Sequence, residues 1–97
     1  MLTNKQKTFL RKEANNLPTF FQIGKDGLTD NTFDIIDKAL LANELIKISI
    51  LKTCVNPKNE VALDIAARCK CEIVQIVGRT LILFRTSKKK IYVLPKA

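Results

Sequence analysis

Two β-rich runs, Glu72 to Val77 and Thr80 to Arg85, are separated by nothing but Gly78-Arg79. A Gly-X pair between such runs is the signal of a two-residue hairpin with a type II′ turn, because glycine supplies the positive φ of the first turn position. Both runs are apolar at nearly every position, so the sheet that holds them is expected to be covered, at least in part, on both faces. The rest of the chain has to supply that cover.

Leu45 to Lys52 is the clearest further strand, with Ile46, Ile48 and Ile50 alternating with Lys47, Ser49 and Leu51 at period two. Thr19 to Ile23 reads as a shorter one. Residues 2–17 read as an amphipathic helix that Pro18 stops. Thr3 and Gln6 stand at capping-box spacing, and Leu2, Phe9, Leu10, Ala14 and Leu17 share one side. A second helix begins at Thr29 or Asp30, buries Phe33, Ile36 and Leu40, and is expected to close on a left-handed Asn43. Asn56-Pro57 predicts the start of a third, with proline at the first helical position and Val61, Ile65 and Cys69 inward. No glycine ends it, so Lys70 or Cys71 must absorb the turn at a cost of about 1–2 kcal/mol.

The order helix–strand–helix–strand–helix–strand–strand predicts an α/β fold, a mixed four-stranded sheet with three helices. Each strand–helix–strand crossover is expected to join a parallel pair, and the final hairpin is antiparallel. Ninety-seven residues suffice for one core, so residues 1–97 are expected to form a single domain.

Charge narrows the function. Seventeen Lys and Arg against nine Asp and Glu leave a net +8, a surplus that points to a polyanionic partner. Histidine is absent, which removes Ser–His and Cys–His nucleophile pairs and the imidazole zinc ligand. Cys54, Cys69 and Cys71 lack zinc-ligand spacing and read as free, apolar-like thiols, so neither a metal nor another cofactor is expected. No apolar run approaches the roughly 20 residues of a membrane span, and Met1-Leu2-Thr3-Asn4-Lys5-Gln6-Lys7 lacks the apolar stretch of a signal peptide, so neither is expected. The expectation is a cytoplasmic, non-catalytic monomer with no membrane contact and no small-molecule substrate.

Gly24-Lys25-Asp26-Gly27 lies between a strand and a helix N-terminus. Such a loop allows close backbone approach, and the helix end favours phosphate; the plainer reading is a tight turn. Asp26, Asp30 and Asp34 bring negative charge near it. The cations fall early (Lys5, Lys7, Arg11, Lys12) and late (Arg79, Arg85, Lys88 to Lys90), and the first helix and the hairpin are expected to frame the loop. The aromatics read mostly as core, which favours backbone and shape recognition over base stacking.

Taken in order, Ile23-Gly24-Lys25-Asp26-Gly27-Leu28-Thr29, Glu44-Leu45-Ile46-Lys47 and Gln75-Ile76-Val77-Gly78-Arg79-Thr80-Leu81-Ile82-Leu83-Phe84-Arg85 resemble the CRM domain (chloroplast RNA splicing and ribosome maturation) in its stand-alone bacterial, YhbY-like form. The resemblance covers nearly the whole chain. It implies a fold like the C-terminal domain of translation initiation factor 3 and RNA binding through the glycine loop and nearby basic surface. It further implies a partner among ribosomal RNA precursors of the large subunit, with which bacterial members are associated. The loop positions it marks are Gly24, Lys25, Asp26 and Gly27; Lys7, Arg11, Arg79, Arg85 and Lys88 are candidates on the basic surface. Lys70 and Cys71 stand where family members often have small residues. A different class of reading remains beside it, a protein–protein adaptor whose basic face meets an acidic assembly factor.

Overall fold

The computed structural model describes residues 2–54, 56–87 and 92. Its elements follow the expected order: α1 (Asn4–Ala14), β1 (Phe21–Ile23), α2 (Asp30–Asn43), β2 (Leu45–Ile50), α3 (Lys58–Cys69), β3 (Glu72–Val77) and β4 (Thr80–Phe84). The capping box forms as read: the Gln6 amide donates to Thr3 Oγ1 at 3.2 Å, and the Thr3 amide donates to Gln6 Oε1 at 3.0 Å. Gly78 takes φ 58°, while Arg79 does not enter the positive region, as a type II′ turn requires.

Three helix ends differ from expectation. α1 closes at Ala14, well before Pro18, because Asn15-Asn16, both poor helix formers, turn the chain. The turn lets the Leu17 amide donate to Ala14 O and packs Leu17 against the sheet. α2 is closed not by Asn43 but by Glu44, at φ 65° and ψ −46°. Asn43 stays helical and donates from Nδ2 to Ala39 O. Pro57 is the cap residue of α3 rather than its first helical residue. Lys70 does absorb the exit turn, at φ 52° and ψ 47°, the left-handed region where a small residue is the cheaper choice.

The sheet runs β1-β2-β4-β3. β1 pairs parallel with β2 as expected, but β2 and β3 do not pair, since β4 inserts between them. Burial explains the insertion. In β4, Leu81 and Leu83 point to one face and Ile82 and Phe84 to the other, and all four are buried. Such a strand needs the centre of the sheet. β3 is half-buried and carries an irregularity between Ile73 and Gln75, features that suit an edge.

Two layers cover the sheet. Leu10 and Ala14 of α1 pack on Leu45, Val74, Ile82 and Phe84. On the other face, Ile36 and Leu40 of α2 and Val61 and Ile65 of α3 pack on Ile46, Ile48, Ile50, Leu81 and Leu83. Truncating a fully buried leucine such as Leu81 to alanine would cost about 2–5 kcal/mol. Among the described residues, no helix is long and apolar enough to cross a membrane.

The register decides what meets where. Ile23 lies opposite Ile50, and Ser49 opposite Thr80. The β1–α2 loop, the β2–α3 connection and the hairpin turn therefore share one end of the sheet. Leu45, Phe84 and Glu72 mark the other end, about 17 Å away at 3.3 Å per strand residue.

Candidate nucleic-acid interface

The glycine loop is a β-turn. The Gly27 amide donates to Gly24 O at 3.0 Å, and Lys25 and Asp26 occupy the two central positions with their side chains exposed. The two glycines have different reasons to be there. Gly27 is buried at φ 65°, where a side chain would be strained. Gly24 has no such φ, and a Cβ placed on it would meet only Leu51 Cδ1, at an ordinary 3.8 Å. Neither backbone conformation nor space in the fold demands glycine at position 24.

The loop feeds directly into α2. Thr29 caps the helix, its Oγ1 accepting from the Thr32 amide at 3.2 Å. A shallow cleft of about 240 Å³ follows the loop, lined by Gln22, Gly24, Lys25, Thr29 and Asn31 among others. Beside it, a wider cleft of about 610 Å³ lies between the start of α3 and the hairpin turn, lined by Lys52, Asn56, Lys58, Gly78 and Arg79. Two contacts tie these parts together: the Ile50 amide donates to Arg79 O at 2.7 Å, and Lys58 Nζ to Gly78 O at 2.8 Å. No side chain caps the start of α3.

Lys25, Lys52, Lys58 and Arg79 thus meet at one end of the sheet. None has a carboxylate partner among the described residues. Lys52 and Lys58 were not marked by the sequence reading. The signal for them is topological, because every strand-to-helix connection in such a fold opens at the same end of the sheet, and both lie in or just after one.

The remaining candidates are placed elsewhere. Lys7 is half-buried and Arg11 exposed on α1, which packs toward Leu45, Ile82 and Phe84; the hairpin turn joins the loop, but α1 does not frame it. Arg85 is committed at the opposite end. Its Nη1 donates to Asp37 Oδ1 at 2.6 Å and to Cys69 O at 2.7 Å, and its Nη2 to Asp37 O at 2.9 Å, a clamp across α2, α3 and β4. Lys88 lies outside the described residues.

The acids of α2 are matched locally: Asp30 with Arg68 at 3.3 Å, Asp34 with Lys38 at 3.1 Å, and Asp37 with Arg85. Only Asp26 brings an unpaired carboxylate to the loop itself, among the described residues. Cys69 and Cys71 are buried and Cys54 is half-buried. Burial, with Asp37 nearby, pushes the Cys69 thiol up, and burial, with Cys69 beside it, pushes Cys71 up to about 12. Among the described residues, no group of three or more His, Cys, Asp or Glu could hold a metal ion.

Glu44 is the residue whose importance the sequence did not disclose. It is fully buried; its Oε2 accepts from the Ser87 amide at 2.6 Å and the Ser87 hydroxyl at 2.7 Å, and its Oε1 from the Tyr92 amide at 3.0 Å. Its carbonyl accepts from the Arg85 amide at 2.9 Å. A carboxylate buried this way is viable only because its oxygens are satisfied.

Known proteins share both sequence and fold. YqeI of Bacillus subtilis, named a probable RNA-binding protein, is 45% identical over 89 residues, covering 92% of this chain and 93% of its own. An RNA-binding protein of Haemophilus influenzae is 33% identical over 95 residues, covering 98% and 96%. The solution structure of a Staphylococcus aureus protein, described as a candidate RNA-binding protein, superposes with a TM-score of 0.81 at 40% identity, covering 98% of this chain and all of that one. A family model for the CRS1/YhbY (CRM) domain matches residues 2–85. The expected resemblance holds on all three grounds: the chain belongs to the CRS1/YhbY (CRM) domain family.

Proposed function

We propose that this chain is a non-catalytic RNA-binding protein that grips the sugar–phosphate backbone of folded RNA with one end of its sheet. The observation that carries this reading is the convergence of the exposed tip of the Gly24–Gly27 turn with Lys25, Lys52, Lys58 and Arg79, cations without carboxylate partners among the described residues. Gly24 admits a phosphate close to the backbone, Gly27 closes the turn, Lys25 reaches out from its tip, and the other three extend the contact across two connections. The RNA-binding descriptions of the relatives support the same reading. We assign the RNA to the large-subunit ribosomal precursor, following the association of bacterial family members. Residues 1–97 would act as one binding unit, a cytoplasmic monomer.

With about four to six phosphate contacts, log affinity should fall against log salt with a slope near −3 to −5. Fluorescence anisotropy with a ribosomal RNA fragment across a salt series measures it, and a flat response would overturn the reading. Crosslinking in growing cells followed by sequencing identifies the RNA. Nuclease treatment before pull-down separates this function from an adaptor: association that survives nuclease points to a protein partner.

A further inference from the structure

A third cleft, of about 250 Å³, opens where the segment after α1 crosses the start of β2; its walls include Leu17, Pro18, Phe20, Asn43, Lys47 and Tyr92. Phe20 is the unusual member. Its backbone is fixed, the amide donating to Lys47 O at 2.7 Å, yet the residue is 48% exposed. Tyr92 is held more firmly: its amide donates to the buried Glu44, and its ring stands edge-on to Phe84 at 6.5 Å and 79°. Two polar groups complete the walls. Lys47 is half-buried and has no carboxylate partner among the described residues. Asn43 spends its amide nitrogen on Ala39 O, which leaves Oδ1 as an acceptor.

We propose that this cleft receives one unpaired nucleobase of the RNA held at the glycine loop, stacked on Phe20. The proposal rests on the RNA-binding reading above and adds a base contact to a surface otherwise built for phosphate. The chemistry selects the occupant. Apolar walls with an uncovered aromatic ring suit a flat heteroaromatic group, and one donor and one acceptor at the rim suit its polar edge. The volume falls below the roughly 300–1,000 Å³ of sites for larger ligands and suits a single ring system. Lys47 adds positive charge, which favours a nucleic acid over a basic peptide. The path is direct: β1 connects Phe20 to Gly24 over about 13 Å, so one RNA strand can lie along it from loop to cleft.

The test uses two RNA hairpins of identical stem, one with a loop of unpaired adenosines and one whose loop is abasic ribose-phosphate. Tyr92 is the sole tyrosine and tryptophan is absent, so intrinsic emission reports on the cleft itself. The expected result is binding of the adenosine-loop hairpin roughly 5- to 100-fold more tightly than the abasic one, with tyrosine emission quenched by the first alone. Phe20→Leu, at an exposed position, should erase most of that preference and leave affinity for the abasic hairpin and its salt slope unchanged. Lys25→Ala should weaken both hairpins alike. Equal wild-type affinity for the two, or a preference that survives Phe20→Leu, overturns the base site while the backbone grip stands. Failure to bind either hairpin overturns the RNA reading and this proposal with it.

Discussion

Arg79 and Arg85 flank the same strand, and the fold treats them in opposite ways. Arg85 is enclosed by α2, α3 and β4 and donates three hydrogen bonds, two of them to backbone carbonyls. Arg79, at the hairpin turn, is exposed and has no carboxylate partner among the described residues. The contrast extends to the two ends of the sheet. Around Arg85 sit buried Glu44, its amide and hydroxyl donors, and the buried thiols of Cys69 and Cys71. Around Arg79 sit Lys25, Lys52 and Lys58. Charge at one end holds the chain together; charge at the other has no carboxylate partner among the described residues and, in the function proposed above, meets RNA. Net charge would not reveal this division, since Arg85 and Arg79 count equally in it.

The sharpest way to break the comparison is to remove Glu44. Glu44→Ala strands three donors that now share a carboxylate, so the folded state should lose on the order of 3 kcal/mol. Denaturant unfolding measures the loss. Glu44→Gly, which relieves the positive φ, should recover about 1 kcal/mol of it. At low denaturant, where either variant is still folded, the RNA salt slope should match wild type. A changed slope would mean that the two ends are not separate in function.

The converse variant replaces Lys25, Lys52 and Arg79 together by alanine. Affinity for a ribosomal RNA fragment should fall roughly 30- to 100-fold, and the salt slope should flatten by about 2–3 as three phosphate contacts are lost. The unfolding midpoint should stay put, because none of the three side chains makes an ion pair among the described residues. Arg85→Ala should do the reverse, lowering the midpoint and sparing the slope. If the triple variant bound RNA as tightly as wild type, the cationic end would not be the contact surface.

Within the loop, the two glycines repeat the contrast at smaller scale. Gly27→Ala must hold a side chain at φ 65° and should cost about 1–2 kcal/mol of stability. Gly24→Asp has room and an ordinary φ, so its thermal midpoint should barely move while RNA binding is lost. A large drop in midpoint for Gly24→Asp would return that residue to a purely structural turn.

What could be read in advance followed the range of the interaction. The Thr3–Gln6 capping box and the Gly78-Arg79 turn are settled within a few residues of chain, and their signals are correspondingly clear, whereas the exit of α3 could be narrowed only to Lys70 or Cys71. Strand order is not local. Whether β3 or β4 neighbours β2 depends on which strand must hide both faces, and the two runs look alike until helices are packed on them. The sites divide in the same way. The glycine loop is contiguous and was visible; Lys52 and Lys58 reach it only through the fold. Glu44 stood within a motif that carried the family resemblance, but its reason is Ser87 and Tyr92, more than forty residues on. A helix-ending Asn43 was the better local guess, and a tertiary carboxylate site outweighed it.

The smallest effect tests the loop's one apparent contradiction. Asp26 shares the exposed tip with Lys25 and has no cationic partner among the described residues, so it opposes any phosphate that Lys25 attracts. Two unit charges about 4 Å apart in water interact by about 1 kcal/mol, and salt reduces this further. Asp26→Asn keeps the side chain's shape and acceptor oxygen, and should tighten RNA binding about two- to fivefold at low salt, with the gain fading as salt rises. Stability should not change, because the turn is closed by the Gly27 amide and not by this side chain. Weaker binding by Asp26→Asn would give the carboxylate a different task, accepting a hydrogen bond from a ribose hydroxyl or a base amine. The loop end would then read the RNA as well as hold it, a task that the charges around Arg85, turned inward on Asp37 and backbone carbonyls, cannot share.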